Sequence, residues 1–484
     1  MAKRYLVVSD LHLADIEDHE DGWRAYKSSR YVIDMPFAAL VRRFVERGRT
    51  NEPLTLVLNG DIFDFDLCAK VPSSPPWPVS PLERAYGLEP TAEKSAWKLE
   101  YMLGHHPGFV ATLCDFITAG NQVVYILGNH DRELHFPEVR EVLTGALRAC
   151  AESRGQRWPA EGLRFEPWFY YIPGELYVEH GHQFDHYSSF KDILDPTVQT
   201  KAGPAVAVPM GNLSNRYLAG CMGFFNPHAT DFILNMFAYL RHWLEHYAFS
   251  RRRHIVLSWF CGCLIVISKL LDIKKRLLLA QRSDDSRLAS EATRTGVPLG
   301  VLRELKRLQT PPMTNRLFRV LREFWLDRLL LSAGMLLGTV VVALLPVPLW
   351  AKVMVPVTGF PLLFFVYEWF AQGETIFTVE QRLPRFARAI AERLPVRIVS
   401  FGHTHRPRVL PLGDGVSFVD SGSWAPLTER LDPSRLAPGT RNYLEITFNA
   451  DEVQLTLDAW TTPVLRLAHS PANDDDASDR FATG

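Results

Sequence analysis

At 484 residues and 47% hydrophobic side chains, the chain is long enough for two or three domains with a full-sized core, which excludes a disordered chain. The net charge of −1 hides an uneven distribution: residues 241–328 hold 18 Lys and Arg against 8 Asp and Glu, so the rest is acidic. Six scattered cysteines without a CxxC pair suit reduced thiols in a cytoplasmic setting, and MAKRYLVVSD enters a strand-like run without signal-peptide character, so export of the N-terminal half is not expected.

In chain order, short apolar runs recur, each ending in residues able to ligate a metal: YLVVSDLH from Tyr5, LTLVLNGD from Leu54, VVYILGNHD from Val123, LYVEHGH from Leu176 and RIVSFGHTH from Arg397. They read as buried strands. Helical patterns over 31–47 and 95–119 separate the first three, giving a strand–helix–strand order whose strand ends converge on one crevice. The Pro- and Ser-rich stretch 71–90 reads as a loop over that crevice, and His105 and His106, ahead of Pro107-Gly108, read as surface residues. After Tyr187 the character changes. Residues 231–249 and the arginine-rich 303–328 have apolar residues at helical spacing, while 254–271 and 329–370 are apolar runs. Strands return at Arg397, in YLEITF and in VQLTLDAW, and SPANDDDASDRFATG lacks the apolar content to fold.

Five polar blocks carry the chemistry: Asp10-Leu11-His12, Gly60-Asp61-Ile62-Phe63-Asp64, Gly128-Asn129-His130-Asp131, His180-Gly181-His182 and Gly402-His403-Thr404-His405. A lone Asp-x-His arises by chance, but five such blocks in order, each ending a strand, point to a metal site. Carboxylate, imidazole and amide donors without thiolate suit Mn, Fe or Zn rather than a cysteine-bound structural zinc. Glycines beside the ligands allow sharp turns and close approach.

The blocks resemble those of the calcineurin-like metallophosphoesterase family, over residues 1–187 and about 395–460. The resemblance implies an α/β fold, a layered β-sandwich flanked by helices, formed here by 1–187 and 388–470. A large helical, membrane-associated insert over 188–387 would interrupt it, and 471–484 would be a disordered tail. It also implies one divalent ion on Asp10, His12, Asp61 and His405 and a second on Asp61, Asn129, His180 and His403, with Asp61 bridging. His130 matches the family's catalytic histidine and Asp64 the carboxylate that orients it. In such a site two ions, Mn or alternatively Fe or Zn, would hold a bridging hydroxide for in-line attack on phosphorus, and His130 would protonate the leaving oxygen. SDLHL, HGHQFD, GHTHRP and DSGSW look most like the UDP-2,3-diacylglucosamine hydrolase group, from which the chain departs in its Asn-His-Asp sequence and its long insert.

Other candidates carry less. His182 competes with His180 as a ligand, although the family pattern favours the His before Gly181. His242 and His246 share a helical face in HWLEH but lack a third ligand, and read as a packed or interfacial pair. Cys261-Gly262-Cys263 reads as buried filler.

Residues 329–351 are uncharged and long enough to cross a bilayer core of ~30 Å, while 353–367 contains Pro356 and Pro361 and returns only with a kink. The two halves of the site must share one side of the membrane, which requires an even number of crossings between them. Arg316, Arg319, Arg322 and Arg328 at the start of the hairpin, against Lys352 alone at its turn, place those halves in the cytoplasm. A third run, 254–271, bounded by Arg251–Arg253 and Lys274–Arg276, suits a helix lying in the interface beside anionic lipids. A core helical pair or a dimer interface is the other reading of 329–370. No nucleic-acid motif accompanies the basic charge. The expectation is a hydrolase at the cytoplasmic face of a membrane acting on a lipid or lipid-linked phosphate or pyrophosphate. Its rivals are a tethered phosphodiesterase for soluble nucleotides and a non-catalytic membrane scaffold.

Overall fold

In β1 (Lys3–Val8) alternate residues serve two different cores: Leu6 and Val8 face a layer of helices, whereas Tyr5 and Val7 face a second sheet. Burial on both faces is why the strand reads as a continuous apolar run. This computed structural model describes residues 3–17, 27–48, 54–219, 244, 255–279, 285–371, 379–428, 436–437, 439–449 and 452–460.

β1 pairs in parallel with β2 (Leu54–Asn59), which pairs in parallel with β3 (Gln122–Ile126), and β3 with β4 (Leu163–Glu166). The strands Asn442–Phe448 and Val453–Ala459, from the YLEITF and VQLTLDAW runs, extend the same sheet antiparallel beyond β1. The crossovers Asp34–Glu46, Ala92–His105, Pro107–Thr118 and Pro137–Ser153 pack through Phe37, Leu99, Phe109, Leu113 and Leu143 on its outer face.

The second sheet is built from β5 (Phe169–Ile172), β6 (Leu176–Glu179), β9 (Ile398–Phe401), β10 (Arg408–Gly413) and β11 (Val416–Asp420), in the order β10-β11-β9-β6-β5. β9 pairs in parallel with β6, with Tyr177 opposite Val399, so the C-terminal part of the chain completes a sheet begun more than two hundred residues earlier. Val178, Ile398 and Val419 meet Val7, Val57 and Ile126 between the sheets, while Leu302, Leu383 and Ile390, from helices Leu299–Leu308 and Val379–Ala391, cover the outer face. The result is an α/β fold of mixed sheets, two sheets thick with helices outside.

Between the two halves lie a hairpin of β7 (Thr197–Thr200) and β8 (Gly203–Val206), the short helix Met210–Leu213 and a π-helical turn Ser214–Ala219. Helix Ile255–Leu279 docks on the core through Cys263, Val266, Leu270 and Ile273 and leaves Leu257, Phe260, Leu264 and Leu271 exposed on its other side. Helices Leu326–Leu344 and Leu349–Ala371 lie against each other across the short connection 345–348. Both are long and apolar enough to cross a membrane. Arg328 and Glu368 form a bidentate pair at the base of the two helices, at 2.7 and 3.0 Å, and Tyr367 donates to Asp327 there.

Several local expectations need correction. The pattern over 95–119 is two helices, broken at His106 because Pro107 lacks an N–H and is tolerated only in a first turn. His106 is buried rather than on the surface: its Nδ1 lies 2.8 Å from Asp34 Oδ1 and its Nε2 2.8 Å from the Ala14 carbonyl, while His105 is half-buried. The loop 71–90 contains the helix Pro81–Tyr86, closed by a reciprocal Ser80–Glu83 capping box. The stretch 303–328 is interrupted at Thr310–Pro312 and again at Trp325, whose φ of 57° is left-handed. Of the pair proposed as buried filler, Cys263 is buried but Cys261 is exposed. The 231–249 pattern apart from Leu244, His242, His246 and the tail 471–484 lie outside the described residues.

Candidate metal centre

Every block reaches the site from the C-terminal end of a strand. Asp10 and His12 follow β1, Asp61 and Asp64 follow β2, Asn129 and His130 follow β3, His180 follows β6, and His403 and His405 follow β9. The backbone there is strained. Asp10 (φ 55°), His12 (50°), Asp61 (54°), His403 (71°) and His405 (61°) all adopt left-handed conformations that cost on the order of 1–3 kcal/mol each for a non-glycine residue. Loop-to-loop hydrogen bonds hold them: Asp10 N donates to Gly60 O at 3.1 Å, His12 N to Asp61 O at 3.0 Å and His403 N to Asp10 Oδ2 at 3.1 Å. Gly128 is needed for a different reason, close approach. A Cβ there would lie 2.1 Å from Asp61 Oδ1 and 2.5 Å from Asp61 N.

Two ligand groups result. In the first, His405 Nε2 lies 3.0 Å from Asp10 Oδ1 and 3.3 Å from His12 Nε2. In the second, His180 Nε2 lies 3.1 Å from Asp61 Oδ2, with His403 completing the set. Asp61 also shares a group with His12 and His130, so it stands between the two. His180 Nδ1 donates to the Asn59 carbonyl at 2.8 Å, which fixes the tautomer and leaves a lone pair on Nε2. His12 is fixed likewise by Asp64 Oδ2, 3.0 Å from its Nδ1. His182, although buried, joins neither group among the described residues.

The donors fit divalent cations. Asn129 Oδ1 is buried and without a hydrogen-bond partner among the described residues, and nitrogen lone pairs converge with carboxylate oxygens in both groups.

Beside the ligands, His130 Nδ1 faces Asp64 Oδ2 at 3.1 Å and Asp66 Oδ2 at 3.4 Å. Burial alone would lower its pKa, but Asp64, Asp61 and Asp66 hold it well above the ordinary histidine value. Asp131 is not a ligand. It accepts from Gly128 N (2.7 Å), Ile62 N (2.8 Å) and Tyr125 OH (2.6 Å), pinning the Asn-His turn to the Asp61 loop. Burial and the adjacent Asp61 charge push its carboxyl up to about 6.

The structure thus brings Asp10, His12, Asp61, Asp64, Asn129, His130, His180, His403 and His405 to one place. Sequence reasoning passed over three partners. Asp66 is the third carboxylate of DIFDFD, and Asp185 lies in HGHQFD with its Oδ2 3.1 Å from His403 Nε2. Asn212 bonds Asn129 and Asp66, and no sequence signal marks it.

Residues 3–202 match the family model described as calcineurin-like phosphoesterase, and no curated protein matches the chain. The matched stretch contains the first four blocks and ends long before His403 and His405, which the fold delivers to the same site.

Proposed function

We propose, from the premise that this chain carries a calcineurin-like phosphoesterase domain over residues 3–202 and is a metal-dependent phosphoric ester hydrolase, that it hydrolyses a phosphate ester or pyrophosphate on a lipid or lipid-linked substrate at the cytoplasmic face of a membrane. The observation that carries the reading is the uncovered helix pair Leu326–Leu344 and Leu349–Ala371. Leu344 is 82% exposed, Trp369 75% and Phe370 83%, and Leu326 and Asp327 are the buried residues of the first helix. An apolar surface of this extent calls for a partner, and lipid fits its length and composition.

Topology supports the same reading. Asp10 and His405 share a ligand group although the helix pair lies between them in the chain, so two crossings return the chain to its starting side. Arg316, Arg319 and Arg322 precede the pair, Arg328 lies in the first turn of its first helix, and Lys352 alone lies near its turn, which favours a cytoplasmic site. Helix Ile255–Leu279 is anchored on one face by the core, so its exposed leucines would lie along the membrane surface rather than cross it. Similarity of SDLHL, HGHQFD, GHTHRP and DSGSW to the UDP-2,3-diacylglucosamine hydrolase group makes a UDP-linked lipid the first substrate to try.

Asp10, His12, Asp61 and His405 would hold one divalent ion, and Asp61, Asn129, His180 and His403 the other. When bound, such a pair, Mn by first expectation, supplies an activated water and neutralises charge on the phosphoryl oxygens. Asp64 and Asp66 face Nδ1 of His130, so a proton carried on its Nε2 would be the one offered to the leaving oxygen. The experiment is a substrate comparison with the full-length, Mn-loaded protein. Hydrolysis of lipid phosphates or UDP-linked lipids in vesicles well above that of soluble nucleotides supports the reading; preference for the soluble nucleotides rejects it.

A further inference from the structure

Asn129 contributes to metal binding only if its amide oxygen, not its NH2, faces the ion, and the two ends of an amide differ little in shape. Nothing within the GNHD block settles that choice. It is settled from Asn212, a residue beyond the matched family stretch and 1% exposed.

Asn212 Nδ2 lies 2.7 Å from Asp66 Oδ2 and 3.2 Å from the Asn129 main-chain carbonyl. Both partners are pure acceptors, so the NH2 of Asn212 must point at them and its Oδ1 must point away. That Oδ1 lies 3.1 Å from the Asn129 side-chain nitrogen and can only accept. The nitrogen of Asn129 is thereby claimed, and its Oδ1 is left as the buried atom without a hydrogen-bond partner among the described residues, the one available to a cation. A flipped Asn129 would set two oxygens against each other. The order of dictation runs from Asp66 to Asn212 to Asn129.

The backbone that presents Asn212 is itself tied down. Gly211 N donates to Tyr187 O at 2.7 Å, and Ser214 Oγ donates to Met210 O at 2.8 Å. Arg216 holds the carbonyls of Tyr86 (3.1 Å), Gly87 and Leu88 (2.9 Å). Helix Ile255–Leu279 lies on the same segment, where a Cβ at Gly262 would come within 3.1 Å of Leu218 Cα. We infer that Asn212 is a positioning residue: the segment linking the catalytic domain to its helical insert completes the second metal site by fixing the rotamer of the Asn129 amide.

The inference rests on the two-metal reading, and binding rather than turnover tests it. Metal-free full-length protein in detergent is titrated with Mn, with calorimetry giving the two affinities and electron paramagnetic resonance reporting the coupled pair. In the Asn212→Ala variant the second affinity is expected to fall about 10–100-fold, the usual cost of removing a partner that orients a ligand, with the first nearly unchanged. In an Asn129→Asp background either carboxylate oxygen ligates and orientation no longer matters, so the same Asn212→Ala change should cost less than about threefold there. Equal losses in both backgrounds, or no loss in either, would overturn the proposal. Asn212→Ser serves if the alanine variant does not fold, and failure of both to fold would make the residue structural and overturn it as well. Wild-type protein that takes up a single Mn would instead remove the two-metal reading beneath it.

Discussion

His12 and His405, 393 residues apart in sequence, face each other Nε2 to Nε2 at 3.3 Å, and Asp10 Oδ1 lies 3.0 Å from the second of them. Two imidazole nitrogens beside a buried carboxylate make a set of donors that could hold a cation, and one that neither half of the chain makes alone. Everything between β6 and β9 is therefore constrained to bring the chain back to its starting side. The even number of crossings proposed for the helix pair follows from that constraint.

Asp61 stands between the ligand groups, so Asp61→Asn is expected to weaken both. Metal analysis after gel filtration should fall from two ions per chain to less than one, and turnover should drop by more than about 100-fold, beyond the usual cost of an outer partner. Full activity in this variant would show that Asp61 does not bridge.

His130→Asn should leave the metal content near that of the wild type, because His130 is assigned to proton transfer. General acid groups contribute ~10²–10⁴-fold, and kcat should fall in that range for a poor leaving group and by less for a nitrophenolate. Loss of the metals in this variant would mean that His130 is a ligand.

Two glycine substitutions should have opposite signs. Gly128→Ala places a Cβ 2.1 Å from Asp61 Oδ1 and 2.5 Å from its main-chain nitrogen, where backbone must move; a cost of about 1–3 kcal/mol and reduced metal uptake are expected. Gly145, inside helix Pro137–Ser153, has open space around its Cβ position, and Gly145→Ala should stabilise by up to about 1 kcal/mol. Denaturant midpoints check both, and an unperturbed Gly128→Ala protein would contradict the packing around Asp61.

Replacing residues 332–367 with a flexible linker removes no proposed ligand and leaves the buried Leu326 and Asp327 in place. Thermal unfolding of the catalytic core should change little, and hydrolysis of a small soluble ester should survive. Vesicle binding should fall and become sensitive to salt, as screening weakens the remaining basic contacts. Turnover of a lipid phosphate in vesicles should drop sharply with the loss of effective concentration. Equal loss of both activities in a folded protein would make the hairpin part of the catalytic core.

The strands that carry the ligands were legible because both faces of each are buried, which writes YLVVSD, LTLVLNGD and VVYILGNHD as unbroken apolar runs ending in polar residues. The ligands were legible because metal chemistry restricts the residue types. Asn212 was not. Its role comes from three hydrogen bonds made across folded distance, and an Asn in a short helix has no signature in one dimension. His106 was misread for the same reason, since only the fold supplies Asp34 and the Ala14 carbonyl as its partners. The helix Pro81–Tyr86 is a different case. Its Ser-Pro-Leu-Glu start spells a capping box, but the surrounding prolines drew the reading toward loop.

The most direct test is hydrolysis of an aryl phosphodiester by metal-free full-length protein as Mn is added in measured equivalents. With Asp61 standing between the two ligand groups, activity is expected to be absent without metal and to rise to a plateau at two equivalents. A plateau at one equivalent, or hydrolysis that persists through exhaustive chelation, would contradict the account.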